Sequence, residues 1–347
     1  MHIMSTSAEL TNTQALSPAA GGVAEISSMT KGKHPLCQLS VTAGNLLDSL
    51  GFPLHTKRMI PRSVNKVMQL AFLCSSAVAA EKQVKPWVVM ADWHRRGEDA
   101  VTGNALAGSF GRSRSGVEAV YRDDHAAFDL EWYAYSNRFA GAIAGTDSAY
   151  ADTTDLIITG FRQWGSFQLI YGLESAAEEG VSFGDGFRWG LGGAWRWSPD
   201  SETDVALGLI FQDRFEQSVL PVPYLKAVWR PCSFGEVELR ATGLQNGVIF
   251  RGYTEDRGTT VDFSVAYETL MFRLSDGAYG GRDVSVGEVP IRLGVTQFLD
   301  RSGTWFVRAQ AEYVPFARHS FHHAGETMAS FEVSPIWGAG ARVGARF

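Results

Sequence analysis

The sequence predicts an all-β chain, and three observations carry that prediction. Beyond about residue 115, apolar and polar residues alternate with period 2, the pattern of a strand whose two faces see different surroundings. These runs are separated by turn-forming groups such as Ser198-Pro199-Asp200, Asn246-Gly247, Glu255-Asp256-Arg257-Gly258 and Asp300-Arg301-Ser302-Gly303. Glycine is abundant, at 37 of 347 residues, and aromatic residues reach 12%, which suits a chain of many turns and many ring-bearing strands.

Twelve strands follow, with a range of ten to fourteen: Val117–Arg122, Ala126–Phe139, Thr154–Trp164, Ser166–Glu174, Phe187–Trp197, Asp204–Phe211, Leu220–Trp229, Gly235–Ala241, Thr260–Leu274, Val289–Leu299, Thr304–Val314 and Ile336–Phe347. Val248–Tyr253 is the ambiguous segment. In Phe187–Trp197 one face carries Phe187, Trp189, Leu191, Trp195 and Trp197, and the other Arg188, Gly190, Gly192, Ala194 and Arg196. Thr304–Val314 divides in the same way, with Trp305, Val307, Ala309, Ala311 and Tyr313 against Arg308, Gln310 and Glu312. Gly103, Gly108, Gly111 and Gly116, with Arg112 and Arg114 between them, read as loop glycines.

Composition removes several functions. A charged fraction of 20% with 45% hydrophobic residues excludes wholesale disorder. A net charge of −6 without a Lys/Arg block argues against nucleic acid as partner. Cys37, Cys74 and Cys232 share no CxxC spacing, which removes structural zinc and thioredoxin-like chemistry. No run of 18 apolar residues is present, which excludes a membrane-spanning helix and leaves strands open as spanning elements.

The chain divides into three parts. Residues 81–347 form the β-body. Residues 59–80 have a basic flank from Lys57 to Lys66, an apolar run from Val67 to Val78 and an Ala-x-Ala ending, the layout of a secretory signal peptide. Residues 1–58 carry no sustained periodicity and are expected to be an upstream extension, with translation starting at Met59.

Alternation alone fits either a secreted soluble sandwich or barrel, or a transmembrane barrel with apolar residues facing lipid. Aromatic residues at the ends of apolar faces (Trp132, Trp164, Phe187, Trp197, Trp229, Trp305, Tyr313, Trp337) and charges with glycine on the opposite faces favour the membrane. The final strand adds to this. Trp337, Ala339, Ala341, Val343, Ala345 and Phe347 share one face, and the chain ends on the aromatic ring. This strand resembles the C-terminal assembly signal of bacterial outer-membrane β-barrel proteins, with Trp337, Val343 and Phe347 as its recognition positions. Ala345 departs from the bulkier residue common there. The segment from Leu220 to Pro231 also looks like strands of uncharacterised porin-like barrels. The resemblance implies a closed antiparallel barrel in the outer membrane, working as a porin-like channel or structural envelope component without catalysis. It also implies outer-membrane lipids and the β-barrel assembly machinery as partners.

The expected functional residues are lumen-facing charges: Arg188, Arg196, Glu236, Glu238, Arg240, Arg292, Arg308 and Glu312, joined by Glu131, Asp262 and Glu268. One other cluster combines imidazoles with a carboxylate: His319, His322, His323 and Glu326, read as a polar loop. It could serve an outer-membrane lipid or envelope hydrolase, but its first reading is a solvated loop. No cofactor or metal is expected.

Overall fold

The computed structural model describes residues 86–102, 107–142, 149–215, 217–242, 245–275 and 282–347. The expected extension at 1–58 and signal peptide at 59–80 lie outside the described residues, as does Gly103. Among the described residues all regular structure is strand.

Seventeen strand segments form one sheet. They are β1 (Trp87–Thr102), β2 (Ala107–Arg122), β3 (Ala126–Ala142), β4 (Thr153–Trp164), β5 (Phe167–Glu178), β6 (Phe187–Trp197), β7 (Thr203–Arg214), β8 (Gln217–Cys232), β9 (Gly235–Ala241) and β10 (Gln245–Tyr253). There follow β11 (Thr259–Arg273), β12 (Asp283–Glu288), β13 (Ile291–Phe298), β14 (Trp305–Val314), β15 (Ala317–His323), β16 (Glu326–Val333) and β17 (Ile336–Arg346). Each neighbouring pair in chain order from β1 to β11 is antiparallel. The last six segments combine two by two into three long staves, β12 with β13, β14 with β15 and β16 with β17, and the third stave pairs with β1. The result is a closed antiparallel barrel of fourteen staves. Closure removes the open sheet edges that would otherwise leave rows of backbone donors and acceptors unpaired.

Fourteen is the upper bound of the expected range. The two additional staves are β10, the ambiguous segment around Val248–Tyr253, and β1, which precedes the region where alternation becomes regular. The reading of Gly108, Gly111 and Gly116 as loop glycines is corrected, because all three lie within β2. Gly116 is required by close approach. A Cβ there would come within 2.3 Å of the Trp132 carbonyl oxygen and of the Tyr133 ring.

The long staves break where proline removes a donor. Pro290 separates β12 from β13, Pro315 separates β14 from β15, and Pro335 separates β16 from β17. Registers align these breaks side by side. Ile291 faces Tyr313 below the row and Glu288 faces Ala317 above it, while Val314 faces Ile336 below and Ala317 faces Val333 above.

The proline row also marks a reversal of polarity. Below it, β13, β14 and β17 turn Leu293, Val295, Trp305, Val307, Trp337 and Val343 outward, all exposed, while Arg308, Glu312 and Arg342 point inside. Above it, Val284, Val286, Phe321, Phe331 and Val333 are buried inside in one apolar cluster with Phe110, Tyr135 and Phe272. The outer face there carries Arg318, Ser320, His322, Ser330 and Glu332. A surface that is apolar outside and charged inside belongs in lipid. One that is apolar inside and polar outside belongs in water.

Aromatic side chains rim the apolar band. Near the end that carries Trp87, the rim includes Trp87 against Tyr121 (5.1 Å between centroids) and the stacked pair Trp164 and Phe167 (6.5 Å). Trp197, Trp229 and Trp305 continue it. On the far rim Tyr313 lies against Trp337 at 4.6 Å. From Trp305 to Tyr313 the strand rises by about 27 Å, or about 20 Å along the barrel axis at a tilt of about 40°, close to the ~25 Å apolar band of such barrels.

The two ends differ in their connections. At the Trp87 end the connections, such as Gly165–Ser166, Ser233–Phe234 and Leu299–Thr304, are short. The opposite end carries the wider spans between β3 and β4, β5 and β6, and β11 and β12.

Candidate functional site

The inner face is the candidate site, because it gathers charge from every part of the chain. Strand period 2 puts alternate residues inside, and closure of the barrel brings them within reach across hundreds of sequence positions. Arg96 on β1 donates to both oxygens of Glu288 at 2.6 and 2.7 Å and to Glu312 at 2.6 Å. Glu312 also accepts from Arg292 at 2.8 Å, and Arg292 donates to both oxygens of Glu268 at 2.5 and 2.7 Å. Asp92 accepts from Arg114 at 3.0 Å and from Arg342 at 2.6 Å. Arg308 holds Asp262 through two bonds of 2.6 Å. These two-pronged contacts suit the planar guanidinium, which meets a carboxylate edge to edge.

On β8, β9 and β10, Glu236 accepts from Arg251 at 2.6 Å and from Arg230 at 3.1 Å. Glu238 meets Arg251 at 3.1 Å, Lys226 at 3.2 Å and, closer still, Arg240. Arg188 pairs with Glu174, its register partner on β5. Arg196 donates to Gln163 at 3.0 Å and reaches Asp204 at 3.4 Å. All eight residues singled out from the sequence (Arg188, Arg196, Glu236, Glu238, Arg240, Arg292, Arg308 and Glu312) therefore face the interior and sit in ion pairs. Asp92, Arg96, Arg114, Glu118, Arg251, Glu288 and Arg342 belong to the same networks and were not singled out. The alternation of Trp87, Val89, Ala91 and Trp93 with Met90, Asp92, His94 and Arg96 on β1 is the signal that marks several of them.

A small cavity with room for about one water opens within this region, lined by Asp92, His94, Arg114, Arg308, Gln310 and Arg342. Gly338 and Gly340 leave room for His94, whose ring carbons would lie 3.0 and 2.8 Å from a Cβ at those positions. The His94 Nε2 atom stands 3.4 Å from Glu312.

The histidine cluster is not a loop. Residues 317–323 and 326–333 form the hairpin β15–β16, turned at Ala324 and Gly325, both with positive φ (51° and 82°). Sequence reading misses this turn because Ala-Gly lacks the usual Asn or Asp at a left-handed position. The strand also separates the four residues. His319 points inside, stacked on Phe331 at 4.6 Å, with its Nδ1 atom 3.0 Å from the Tyr150 hydroxyl. His322 points outward, between Ser285 Oγ (2.9 Å) and Thr327 Oγ1 (3.2 Å). His323 and Glu326 face each other across the turn. Among the described residues no three His, Cys, Asp or Glu side chains converge as a metal site.

Outside the membrane-facing wall, the short turns are fixed by aspartates. Asp300 accepts from the Ser302 hydroxyl and from the backbone N–H of Trp305 at 2.7 Å, and these bonds hold its carboxyl down to about 2. Asp123 accepts from the Tyr121 hydroxyl at 2.7 Å and from the N–H of His125 at 2.7 Å, and lies below the usual carboxylate range for the same reason.

No protein-family model matches the chain, and no curated protein matches it. Among solved structures, an outer membrane channel from Pseudomonas putida F1 is similar at 10% identity, over 78% of this chain and 100% of that one, with a TM-score of 0.37. The TodX monoaromatic hydrocarbon channel is similar at 8% identity, over 75% and 90%, with a TM-score of 0.36. The KdgM porin is similar at 8% identity, over 73% and 97%, with a TM-score of 0.30. Values this low carry no argument about solute or mechanism. What the chain's own geometry establishes is a closed antiparallel barrel, apolar on its belt and charged within.

Proposed function

We propose that this protein is a bacterial outer-membrane β-barrel that works as a porin-like channel or structural envelope component, without catalysis of its own. The observation that carries the reading is the reversal of polarity across the proline row. Leu293 and Val295 below it face outward as Arg318 and His322 above it do, which only a lipid belt below and water above accommodate together. The interior charges then meet whatever enters the barrel, and their arrangement tunes which ions and solutes are admitted.

The same reading assigns partners and route. Residues 59–80 direct export, outer-membrane lipids cover the belt, and the assembly machinery reads the strand bearing Trp337, Val343 and Phe347. The end with short turns faces the periplasm and the end with wider connections faces outward. Hydrolysis by the histidine cluster is the weaker reading, since His319 and His322 point to opposite sides of the wall.

Gel mobility of the detergent-extracted protein, with and without boiling, tests this reading. A closed barrel keeps its compact shape in detergent until its ring of hydrogen bonds is broken, so an unboiled band of different mobility from the membrane fraction is the expected result. Equal mobility, with the protein in the aqueous fraction, would leave a secreted soluble β-protein.

A further inference from the structure

We infer that the panel of sheet above the proline row, formed by β12, β15 and β16 with the upper half of β11, is a hinged lid over the outer end of the lumen. The inference rests on the outer-membrane barrel reading and adds a moving part to it.

The outer end is narrower than the belt. β5 meets β11 directly at Ala177 and Arg273, so β6 to β10 end lower and drop out of the ring. The strands that remain are β1 to β5 with β11, β12, β15 and β16. A ring of about eight strands is filled by its own side chains. This slightly larger one is filled by Phe110, Tyr135, Phe272, Phe321 and Phe331, none more than 4% exposed, which shuts the lumen below off from the outside.

The attachment of the panel marks it as a lid. Within the panel the ladders are long. β12 pairs with β15 from Asp283–His322 to Glu288–Ala317, and β15 with β16 from Ala317–Val333 to His323–Glu326. Its lower edge is the proline row, where Pro290, Pro315 and Pro335 each interrupt a strand and take a donor from the ladder at one level. Of the panel's strands, β11 alone crosses this level unbroken. The sides are short seams. β16 joins β1 at Val101–Val333 and Thr102–Glu332, with Ser334 donating to the Ala100 carbonyl at 2.9 Å, and β11 joins β5 at Arg273–Ala177. A panel stiff within itself and thinly joined at its edges moves as a unit before it unfolds.

Side chains latch the seams. Arg96 on β1 reaches Glu288 on β12 at 2.6 Å, the Tyr150 hydroxyl meets His319 Nδ1 at 3.0 Å, and the Ser275 hydroxyl, just beyond β11, donates to Glu178 at 2.7 Å. Opening breaks these bonds together with the apolar core. The lid is therefore shut at rest and opens rarely.

The test is single-channel recording of the purified full-length barrel in planar bilayers, with unboiled gel mobility recorded on every sample. Phe321→Ala removes a ring that is buried only while the lid is shut, so openings are expected at least about tenfold more often than in the parent. In that background, Cys232→Ser removes the free cysteine of the described residues, and Thr102→Cys with Glu332→Cys supplies thiols at facing, exposed positions across the β1–β16 seam. Mass spectrometry confirms the cross-link before recording. Oxidation is expected to abolish the openings and dithiothreitol to restore them. Openings that persist in the cross-linked protein would be a leak through the loosened core and would overturn the lid. Opening no more frequent in Phe321→Ala than in the parent, or silence of every reduced variant, would overturn it as well. In each case a heat-modifiable band leaves the barrel reading standing, and absence of that band would remove both.

Discussion

Trp87 and Phe347 exchange backbone hydrogen bonds across the closing seam, with the Trp87 N–H donating to the Phe347 carbonyl at 3.1 Å and the Phe347 N–H to Trp87 at 3.0 Å. The last residue is therefore the first rung of the ladder that joins β17 to β1, which continues from Val88 and Arg346 to Arg96 and Gly338. Removing Phe347 should lower the fraction of heat-modifiable protein recovered from membranes, whereas Phe347→Tyr should preserve it. Densitometry of unboiled gels reads the difference.

Arg96 satisfies Glu288 and Glu312 together, two carboxylates that are almost fully buried. Arg96→Met would take from Glu288 the arginine that holds both its oxygens, while Glu312 would keep Arg292 at 2.8 Å and His94 at 3.4 Å. The expected cost is about 3–5 kcal/mol, the usual penalty for breaking a buried ion pair from one side. The temperature at which the compact gel band disappears should fall accordingly, and an unchanged temperature would show that water reaches these carboxylates.

Val295 lies opposite Ala309, midway between Trp305 and Tyr313, and points outward. Val295→Arg should cost about 2–4 kcal/mol in lipid, the penalty for a guanidinium at mid-membrane. On a water-exposed wall the same change would be nearly neutral. Equilibrium unfolding in urea with lipid vesicles distinguishes the two.

Asp300 is held to about 2 by the Ser302 hydroxyl and the Trp305 N–H, against about 3.9 in an unfolded chain. Because the folded value is the lower one, the stabilisation is complete above about pH 4 and is lost as the pH falls towards 2. Asp300→Asn should flatten the acid limb of a stability–pH profile in that window and leave neutral pH little changed.

Period-2 alternation made most of the wall legible in the sequence, because the side chains of a strand must face two different media in turn. For the same reason Arg188, Glu236, Glu238, Arg308 and Glu312 were placed together on the inner face without any knowledge of their partners. β1 was missed because its alternation runs from Trp87 through Arg96 with charge accumulating at its far end, and it then enters a bulge between Arg95 and Glu98. The hairpin at Ala324–Gly325 was missed because a left-handed alanine gives no turn signal.

What the sequence by itself determined is therefore local: strand period, turn positions, and which residues share a face. Only the tertiary structure decided which charges meet. Arg96 and Glu312 are 216 positions apart, and Asp92 and Arg342 250, yet each pair is bonded at 2.6 Å. No propensity or spacing encodes such contacts, because they depend on the register accumulated around a closed ring, where a one-residue slip would turn every side chain to the other face.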